Sequence, residues 1–340
     1  MKTLINEMWH WLGILAIFCS ASSSLHAQTV NYTERDDVRT FIQQLVEKHG
    51  FIASELQQVF SQARFQPGVI KAITPQPPQA QSWQEYRASF LTAKRIKTGK
   101  EFLKEYADPL QRASREYGVP SEIIVAIIGI ESVFGTRSGN YRVIDALTTL
   151  AFDYPPRAEF FRSELEEFLL IVRTMQVDVL SIKGSYAGAI GIPQFMPASY
   201  RRFAVDFDGD GVSDLNKSVV DSIGSIGNFL KQHGWETDQP TVYPAEINGD
   251  KHQILLSSGI KPKYKIADLA QYGVKPASYV VDQSINDQAL CSLVDLPTPN
   301  QETEYRIGLQ NFYTLTRYNR SSFYAMAVIE LAKAIKQEKN

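Results

Sequence analysis

The stretch that decides the fold runs from Pro120 to Phe134 and reads PSEIIVAIIGIESVF, with Glu131 as the one acid in its second half. Pro120 and Glu122 suit the first turn of a helix, because the free N–H groups there tolerate proline and favour negative charge. Gly135 suits the end of the helix. The sequence therefore predicts an apolar helix around which the rest of the chain packs.

Glu131 follows Ile127 and Ile128 by four and three positions, which places its carboxyl group on the apolar stripe near the negative end of the helix dipole. Both effects oppose ionisation and favour a carboxyl group that stays partly protonated near neutral pH. Such a group can act as a general acid, as cleavage of a glycosidic bond requires. The alternative is a helix-end glutamate that reaches solvent or pairs with an arginine in the core.

The start of the chain has the pattern of an export signal. Residues 1–27 combine Lys2 in a short polar start, an apolar run over 12–18 and small residues before a cleavage position after Ala27. The apolar run is too short to span a bilayer. Cys19 offers a second interpretation, a lipid-anchored membrane protein, but the bulky Ile-Phe pair before it favours ordinary cleavage. The sequence therefore predicts a soluble protein exported to the periplasm.

Composition excludes several classes of protein. After Ala27 only Cys291 remains, so no intramolecular disulfide can form. The formal net charge is −2 and the sequence contains no cluster of basic residues that could bind a phosphate backbone, so nucleic acid is not an expected partner. His49, His233 and His252 are too scattered for a metal triad, and no HExxH, P-loop, GxGxxG or GxSxG motif is present.

Hydrophobic periodicity predicts an α+β fold that is mainly α. Helical spacing is found over 36–50, 54–63, 83–106, 108–117, 145–150, 158–175, 219–233 and 322–336, with a break at PQPPQAQ (75–81). Short runs typical of strands follow one another between 237 and 310, namely TVYPAEI, HQILLSS, KYKIADL, ASYVVD, ALCSLVDL and EYRIGLQNFYTLTRY. We expect an N-terminal helical domain over 28–107, a helical core over 108–236, a small β domain over 237–310 and a C-terminal segment and helix over 311–340 that pack back on the core.

A glycine-rich segment, KGSYAGAIGIPQFMPASYRRF (183–203), follows the long helix predicted over 158–175. Gly184, Gly188 and Gly191 lie close to two prolines, a composition suited to a backbone packed tightly around another group. The alternative is a tight connection between two helices.

An acidic loop, DFDGDGVSDLNK (206–217), resembles a calcium-binding loop. Positions one, three, five and nine of that loop carry acids, namely Asp206, Asp208, Asp210 and Asp214. Val212 offers its carbonyl at position seven. Lys217 replaces the usual bidentate glutamate at position twelve, and Asp221 is the candidate that closes a longer loop. The ion would be structural; the alternative is a polar turn that caps the next helix.

Five features stand in a fixed order along the chain, namely IIGIESVFG, YPPRAEFF, KGSYAGAIGIPQFMPASY, the acidic loop and NFYTLTRYNRSSFYAMAV. Together they resemble the membrane-bound lytic transglycosylase B family of peptidoglycan-cleaving enzymes, from about Val38 to the C-terminus. The resemblance implies a lysozyme-like helical core with an N-terminal helical domain and a small β domain. It implies peptidoglycan glycan strands as the substrate and no organic cofactor.

By this resemblance Glu131 is the catalytic residue. It would donate a proton to the oxygen between N-acetylmuramic acid and N-acetylglucosamine, then act as a base toward the muramic C6 hydroxyl. The product would carry a 1,6-anhydro ring, and no second carboxylate would be required. Asp145, Asp153 and Glu159 stay open as second carboxylates, with helix capping and surface charge as their alternatives.

The resemblance also implies residues that contact substrate or metal. The substrate contacts would be Tyr86, Arg157, Ser185, Gln194 and Tyr318. Arg157 could tune the protonation of Glu131, although Pro156 replaces the first arginine of the pair found in many members. For the two tyrosines, core packing is the alternative. The calcium ligands would be Asp206, Asp208, Asp210, the Val212 carbonyl and Asp221, with Asp214 binding through water.

Two other functions stay open at this point. A goose-type muramidase would use Glu131 as the acid and deliver water to the same bond. A catalytically idle peptidoglycan-binding scaffold would keep the fold without cleavage. We expect a monomer, and the sequence does not specify endo or exo cleavage, the tolerated peptide stems or any recruiting cell-wall machinery.

Overall fold

The computed structural model of the protein describes residues 31–74, 82–277 and 285–337. The predicted signal at 1–27, with Cys19, lies outside these ranges, as do the break at 75–81 and most of the ASYVVD run. None of the helices in the described ranges combines the length and apolar character that crossing a bilayer requires.

The described chain is mainly helical. Its α-helices are α1 Asp36–His49, α2 Ala53–Gln62, α3 Pro67–Ile73, α4 Trp83–Phe90, α5 Ala93–Glu105, α6 Ala107–Tyr117, α7 Ser121–Ser132, α8 Val143–Asp153, α9 Ala158–Met175, α10 Pro197–Phe203, α11 Val219–Gln232, α12 Gln253–Ser257, α13 Gln310–Tyr318 and α14 Ser322–Lys336. Short 3-10 helices lie at Tyr32–Glu34, Pro155–Arg157 and Ile266–Tyr272.

The strands form two antiparallel sheets. They are β1 Tyr141–Arg142, β2 Lys183–Gly184, β3 Val242–Ile247, β4 Tyr264–Lys265, β5 Val274–Pro276, β6 Leu290–Leu296 and β7 Glu304–Gly308. The pair β1–β2 is a small sheet of its own, and the other five follow the order β4-β6-β7-β3-β5. The α+β, mainly α fold class is therefore confirmed.

Helix α7 lies at the centre of the main hydrophobic core. Every residue from Ile123 to Gly129 is buried, and α14, α5, α6 and α11 pack around it. The helix begins after Pro120, whose backbone is extended, and it ends at Ser132 because Val133 adopts the left-handed conformation. Burial on all sides explains why this helix has little amphipathic character.

Two hydrophobic clusters divide the described chain. The larger one joins the N-terminal helices, the helices around α7 and α14, from Tyr32 to Ile335. The smaller one belongs to the five-stranded sheet and includes Tyr243, Cys291 and Ile307. The N-terminal helices therefore share a core with α7, and the predicted boundary at 107/108 stays a prediction.

Four predicted elements differ from the structure. KYKIADL, predicted as a strand, is a strand only at Tyr264–Lys265 and continues as the 3-10 helix Ile266–Tyr272. The helical pattern over 83–106 divides into α4 and α5, because Thr92 caps a new helix by accepting a hydrogen bond from Arg95 N. HQILLSS, predicted as a strand, forms α12. The run from Glu304 ends as a strand at Gly308 and continues as α13. Short apolar runs do not distinguish a strand from a buried helix, which is why these two interpretations were wrong.

Candidate active site

The chain turns sharply directly after Glu131. Val133, Phe134 and Gly135 all have positive φ, at 51°, 58° and 80°, and the Ser132 hydroxyl accepts a hydrogen bond from Gly135 N at 3.0 Å. A left-handed β-branched residue is uncommon and costs conformational energy. The turn folds the Phe134 ring back onto Gly129, where a Cβ atom would lie 2.7 Å from the ring.

Glu131 lies on the last turn of α7, and its side chain is partly buried. Burial raises the pKa of this carboxyl from 4.5 to about 7, and a hydrogen bond from Tyr324 opposes the shift. The Tyr324 hydroxyl donates to Glu131 Oε1 at 2.7 Å. Glu131 therefore exchanges a proton near neutral pH, as the spacing of its isoleucines predicts.

Tyr324 comes from α14, 193 residues further along the chain. It is 2% exposed, and its ring is stacked parallel to that of Tyr318, with centroids 6.3 Å apart. Burial and the negative charge of Glu131 raise the pKa of both phenols. Both hydroxyls therefore stay protonated, and Tyr324 is a permanent hydrogen-bond donor to Glu131.

The two tyrosines named by the resemblance both lie near Glu131. The Tyr318 hydroxyl donates to the carbonyl of Pro193 at 2.6 Å, which ties α13 to the glycine-rich segment. Tyr86 lies on α4 against Phe90 and Phe323. Burial, and then the charge of Glu131, raise the pKa of Tyr86. One face of the site is therefore aromatic.

The glycine-rich segment is held by its own polar side chains. Gln194 has a left-handed backbone, with φ of 52°, and its Nε2 donates to Ser138 O at 2.9 Å and to Gly191 O at 2.8 Å. The Ser185 hydroxyl accepts hydrogen bonds from Ala187 N and Ala189 N, at 3.2 and 3.0 Å. In the described chain the hydrogen bond on Glu131 comes from Tyr324, so direct bonds from Ser185 or Gln194 to Glu131 stay a prediction.

Arg157 is exposed at the start of α9, and its guanidinium carbon lies 4.4 Å from the centroid of Phe160. Its positive charge acts on Glu164, a buried carboxylate whose Oε2 accepts a hydrogen bond from Ala198 N at 2.9 Å. The groups that shift the pKa of Glu131 do not include Arg157. The structure therefore places Arg157 beside Glu164, and its contact with substrate stays a prediction.

The open candidates for a second carboxylate have structural partners or face solvent. Asp145 is buried and forms an ion pair with Arg142 at 2.7 Å. Asp153 pairs with Arg35 at 2.5 Å. Glu159 is exposed on the first turn of α9. Glu159 fits the alternative of surface charge, whereas Asp145 and Asp153 are held in ion pairs and neither caps a helix in the described chain.

The acidic loop brings three of its predicted ligands together. Oxygen atoms of Asp206, Asp208 and Asp210 lie within 4.8 Å of one another on the exposed surface. Asp206 accepts hydrogen bonds from Gly209 N and Gly211 N, at 2.7 and 2.8 Å. Three carboxylates on one tight loop are the hard oxygen donors that calcium prefers, so the residues fit this ion.

Asp221 lies apart from that cluster and holds the loop by accepting hydrogen bonds from its backbone. It is fully buried. Its Oδ1 accepts hydrogen bonds from Phe207 N at 2.7 Å and Asp208 N at 3.1 Å, and its Oδ2 accepts one from Asp214 N at 2.9 Å. The backbone N–H groups thus occupy both oxygens, and the role of Asp221 as an ion ligand stays a prediction.

The acidic loop and the glycine-rich segment are joined by their backbones. Ile192 N donates to Leu215 O at 2.8 Å. Gly191 approaches so closely that a Cβ atom there would lie 2.3 Å from the same oxygen. The position of Gln194 therefore depends on the end of the acidic loop.

Comparison with known sequences identifies this arrangement. Residues 33–333 match the family described as the transglycosylase SLT domain. The chain belongs to this family. The transglycosylase is also 42% identical over 315 residues to membrane-bound lytic murein transglycosylase B of Escherichia coli (strain K12), which covers 90% of the chain and 84% of the relative. The predicted resemblance is thereby confirmed.

Solved structures give the same result. The transglycosylase superposes on an Escherichia coli lytic transglycosylase in complex with calcium, with a TM-score of 0.78 and 42% identity over 91% of this chain and 93% of that chain. It also superposes on SltB3 of Pseudomonas aeruginosa in complex with NAG-anhNAM-pentapeptide, with a TM-score of 0.77 and 30% identity over 88% and 79% of the two chains.

Tyr324 is the residue of the transglycosylase site that sequence reasoning missed. Its segment, SSFYAMAV, forms part of a quoted motif, but its helical pattern indicates core packing. A phenol among buried apolar residues requires a hydrogen-bond partner, and that requirement was the available signal.

Proposed function

We propose that Glu131 of this lytic murein transglycosylase cleaves the β-1,4 bond between N-acetylmuramic acid and N-acetylglucosamine and leaves 1,6-anhydro ends. The observation that carries the proposal is the partly buried Glu131 carboxyl, with a pKa of about 7 and one hydrogen bond from Tyr324. A single group at this pKa can give and take a proton at neutral pH.

The reaction needs two proton transfers through the same carboxyl group. In the first, protonated Glu131 donates to the bridging oxygen as the glycosidic bond breaks and positive charge develops at C1 of the muramic sugar. In the second, the Glu131 carboxylate takes the proton of the C6 hydroxyl, whose oxygen bonds to C1. The proton is recovered, so the enzyme ends the cycle in its starting state.

The Tyr324 hydroxyl supports both states of Glu131. Its donated hydrogen bond stabilises the carboxylate that forms after the first transfer. Because the phenol is buried and its pKa is raised, it does not compete as a proton donor. Asp145 and Asp153 are held in ion pairs, which favours a mechanism with one carboxyl group over one that positions water between two.

The sugar strand would lie between the aromatic face and the glycine-rich segment. Tyr86 and Tyr318 would present apolar ring faces to sugar C–H groups, and Ser185 and Gln194 would supply short polar contacts. Arg157 would contact the strand further along, beyond Glu164. These five contacts rest on the family resemblance together with the positions described above.

A calcium ion would bind the acidic loop through Asp206, Asp208, Asp210 and the Val212 carbonyl. The short distances between the three carboxylates support the site, as does the related Escherichia coli structure in complex with calcium. The ion would neutralise their mutual repulsion and hold the loop in shape. Asp221 would serve the ion indirectly, through the loop backbone, or directly after a change of partner.

The substrate places the protein in the cell envelope. The Escherichia coli relative is membrane-bound, and the sequence pattern at 1–27 supports export, with cleavage after Ala27 or lipidation at Cys19 as the two routes. We propose a monomer, with peptidoglycan strands as the partner and cell-wall machinery unassigned.

Mass spectrometry of digestion products tests the function. Purified sacculi treated with the wild-type protein should release fragments with 1,6-anhydro ends. Reducing ends alone would instead support a goose-type muramidase, and no release would support an idle scaffold. A Glu131→Gln variant that still solubilises sacculi would overturn the catalytic assignment.

A further inference from the structure

Two arginines near the site have no acidic partner in the described chain. Arg95 is on the first turn of α5, and Arg137 follows the turn that ends α7. Neither forms an ion pair with a carboxylate in the ranges that the structure describes. Arg95 is part-buried, and the other part-buried arginines of the described ranges each have a carboxylate partner, for example Arg35 and Arg142, whereas Arg137 is exposed.

Arg95 is held by the protein on one side only. Its Nη1 donates to Ser89 O at 2.8 Å and to Phe90 O at 3.1 Å, and its guanidinium carbon lies 5.2 Å from the centroid of the Phe90 ring. Its Nε is buried and lacks a hydrogen-bond partner. A buried charged donor without a partner is costly, which makes an anionic ligand favourable.

Arg137 lies on the segment that follows α7, and its charge acts on Arg95. Its backbone N donates to Ser132 O at 2.8 Å, which fixes it one turn beyond Glu131. The ring of Phe134 lies against Gly99, one turn along α5 from Arg95, where a Cβ atom would be 3.3 Å from the ring. Burial, and then the charge of Arg137, lower the pKa of Arg95, as two cations near one another require.

Both members of the arginine pair, Arg95 and Arg137, have neighbours that contact predicted substrate-binding residues. Phe90 beneath Arg95 packs on Tyr86, with ring centroids 5.1 Å apart. Ser138, the neighbour of Arg137, accepts the hydrogen bond from Gln194. A sugar strand lying between Tyr86 and Gln194 would therefore pass the two guanidinium groups.

We infer that the arginine pair binds a carboxylate of the peptide attached to the glycan strand, and so makes the enzyme selective for peptide-bearing strands. The inference rests on the proposed function. The substrate's sugars are uncharged along the strand, whereas a pentapeptide such as the one bound by SltB3 ends in a carboxylate. Two guanidinium groups match that group in charge and geometry.

The test compares two forms of one substrate. Strands from sacculi keep their free peptide carboxylates, or have them amidated with ammonia and a carbodiimide. The wild-type enzyme should show a kcat/KM about three- to tenfold higher on the free-carboxylate strands, and this preference should decrease as salt is added.

Variants then locate the preference. Arg137→Gln should reduce it to less than about twofold, mainly through KM for the free-carboxylate strands, and Arg137→Lys should restore part of it. Arg95→Met, which keeps an apolar contact with Phe90, should act in the same direction. Lys231→Gln removes a positive charge from the exposed end of α11 and should keep the full preference.

Two results would overturn the inference. One is a wild-type enzyme that cleaves both substrates equally. The other is an Arg137→Gln variant whose kcat/KM falls by the same factor on the free-carboxylate and the amidated strands. In either case anhydro products from both substrates would leave the proposed function intact, whereas their absence with wild-type enzyme would refute the proposed function itself.

Discussion

Glu131 and the acidic loop place the same chemical group in opposite surroundings. The Glu131 carboxyl is partly buried, receives one hydrogen bond from a phenol and has its pKa raised to about 7. In the acidic loop Asp206, Asp208 and Asp210 are exposed and receive hydrogen bonds from several backbone N–H groups. Solvent and N–H donors keep a carboxylate charged, and their removal makes it an acid.

The comparison teaches that burial and hydrogen-bond donors, rather than the presence of acids, separate the two sites. The surroundings of Glu164 are intermediate, since it is buried but accepts a hydrogen bond from the backbone N–H of Ala198. Burial raises its pKa and this hydrogen bond opposes the shift. Glu131 and Glu164 each accept one hydrogen bond and each have a raised pKa, so burial against donors sets the direction of the shift, and the place of the carboxyl in the site decides which one can react.

The strongest way to break the comparison is to remove the acid. Glu131→Gln should lower the rate of sacculus cleavage by at least about a thousandfold, because glutamine cannot give or take the proton. Release of soluble fragments from sacculi measures this rate. Glu159→Gln removes an exposed carboxylate and should leave the rate within about twofold; an equal loss there would contradict the assignment of a single acid.

The raised pKa of Glu131 also predicts how stability depends on pH. Between 4.5 and about 7 the folded state holds a proton that the unfolded chain releases. The free energy of unfolding should therefore fall by about 1–3 kcal/mol as pH rises through this window. Denaturant titrations at several pH values measure it.

Glu131→Gln supplies the control for this pH effect, because glutamine does not titrate. The wild type should lose stability relative to the variant between pH 4 and pH 8. A difference between the two proteins that stays constant across this range would show that Glu131 titrates normally.

Calcium binding tests the acidic loop, the second member of the comparison. Added to chelated protein at about a hundred times its Kd, the ion should stabilise the fold by about 2.7 kcal/mol. This would raise Tm by several degrees. Asp208→Asn should weaken the effect, and magnesium should not reproduce it. An unchanged Tm would count against a bound ion.

The smallest expected effect comes from removing the Tyr324 hydroxyl alone. Tyr324→Phe removes the hydrogen bond that lowers the pKa of Glu131, so the alkaline limit of activity should move upward by up to about one pH unit. Tyr318→Phe is the matched control, since that hydroxyl donates to Pro193 O. Equal shifts in both variants would assign the effect to general loosening of the site.

The sequence predicted the long amphipathic elements best. The bounds of α9 and α14 were predicted to the residue, because their apolar stripes repeat over several turns. It failed at α12 and α13, where short apolar runs fit a strand equally well. Helix α3 was missed because its seven residues carry too little pattern.

For the candidate site, local spacing pointed to Glu131 and the acidic loop, and the family resemblance was needed to prefer Glu131 as the acid over a solvent-exposed or paired glutamate. The neighbours of Glu131 in the sequence are the same residues that help to bury it. Tyr324 and the arginine pair could not be predicted in this way, since each contact joins distant parts of the chain. Asp221 also depends on contacts outside its own loop positions: its oxygens accept hydrogen bonds from Phe207 N and Asp214 N, and its role as a ligand stays a prediction.

The hydrogen bond between Tyr324 and Glu131 has a consequence for the timing of activity. The acid is synthesised long before the helix that carries its partner, and α14 packs directly on α7. Until α14 docks, Glu131 stays in contact with water, where an ordinary glutamate is ionised and a poor proton donor. A chain in which α14 has not docked therefore lacks the proton donor that cleavage of the glycan requires.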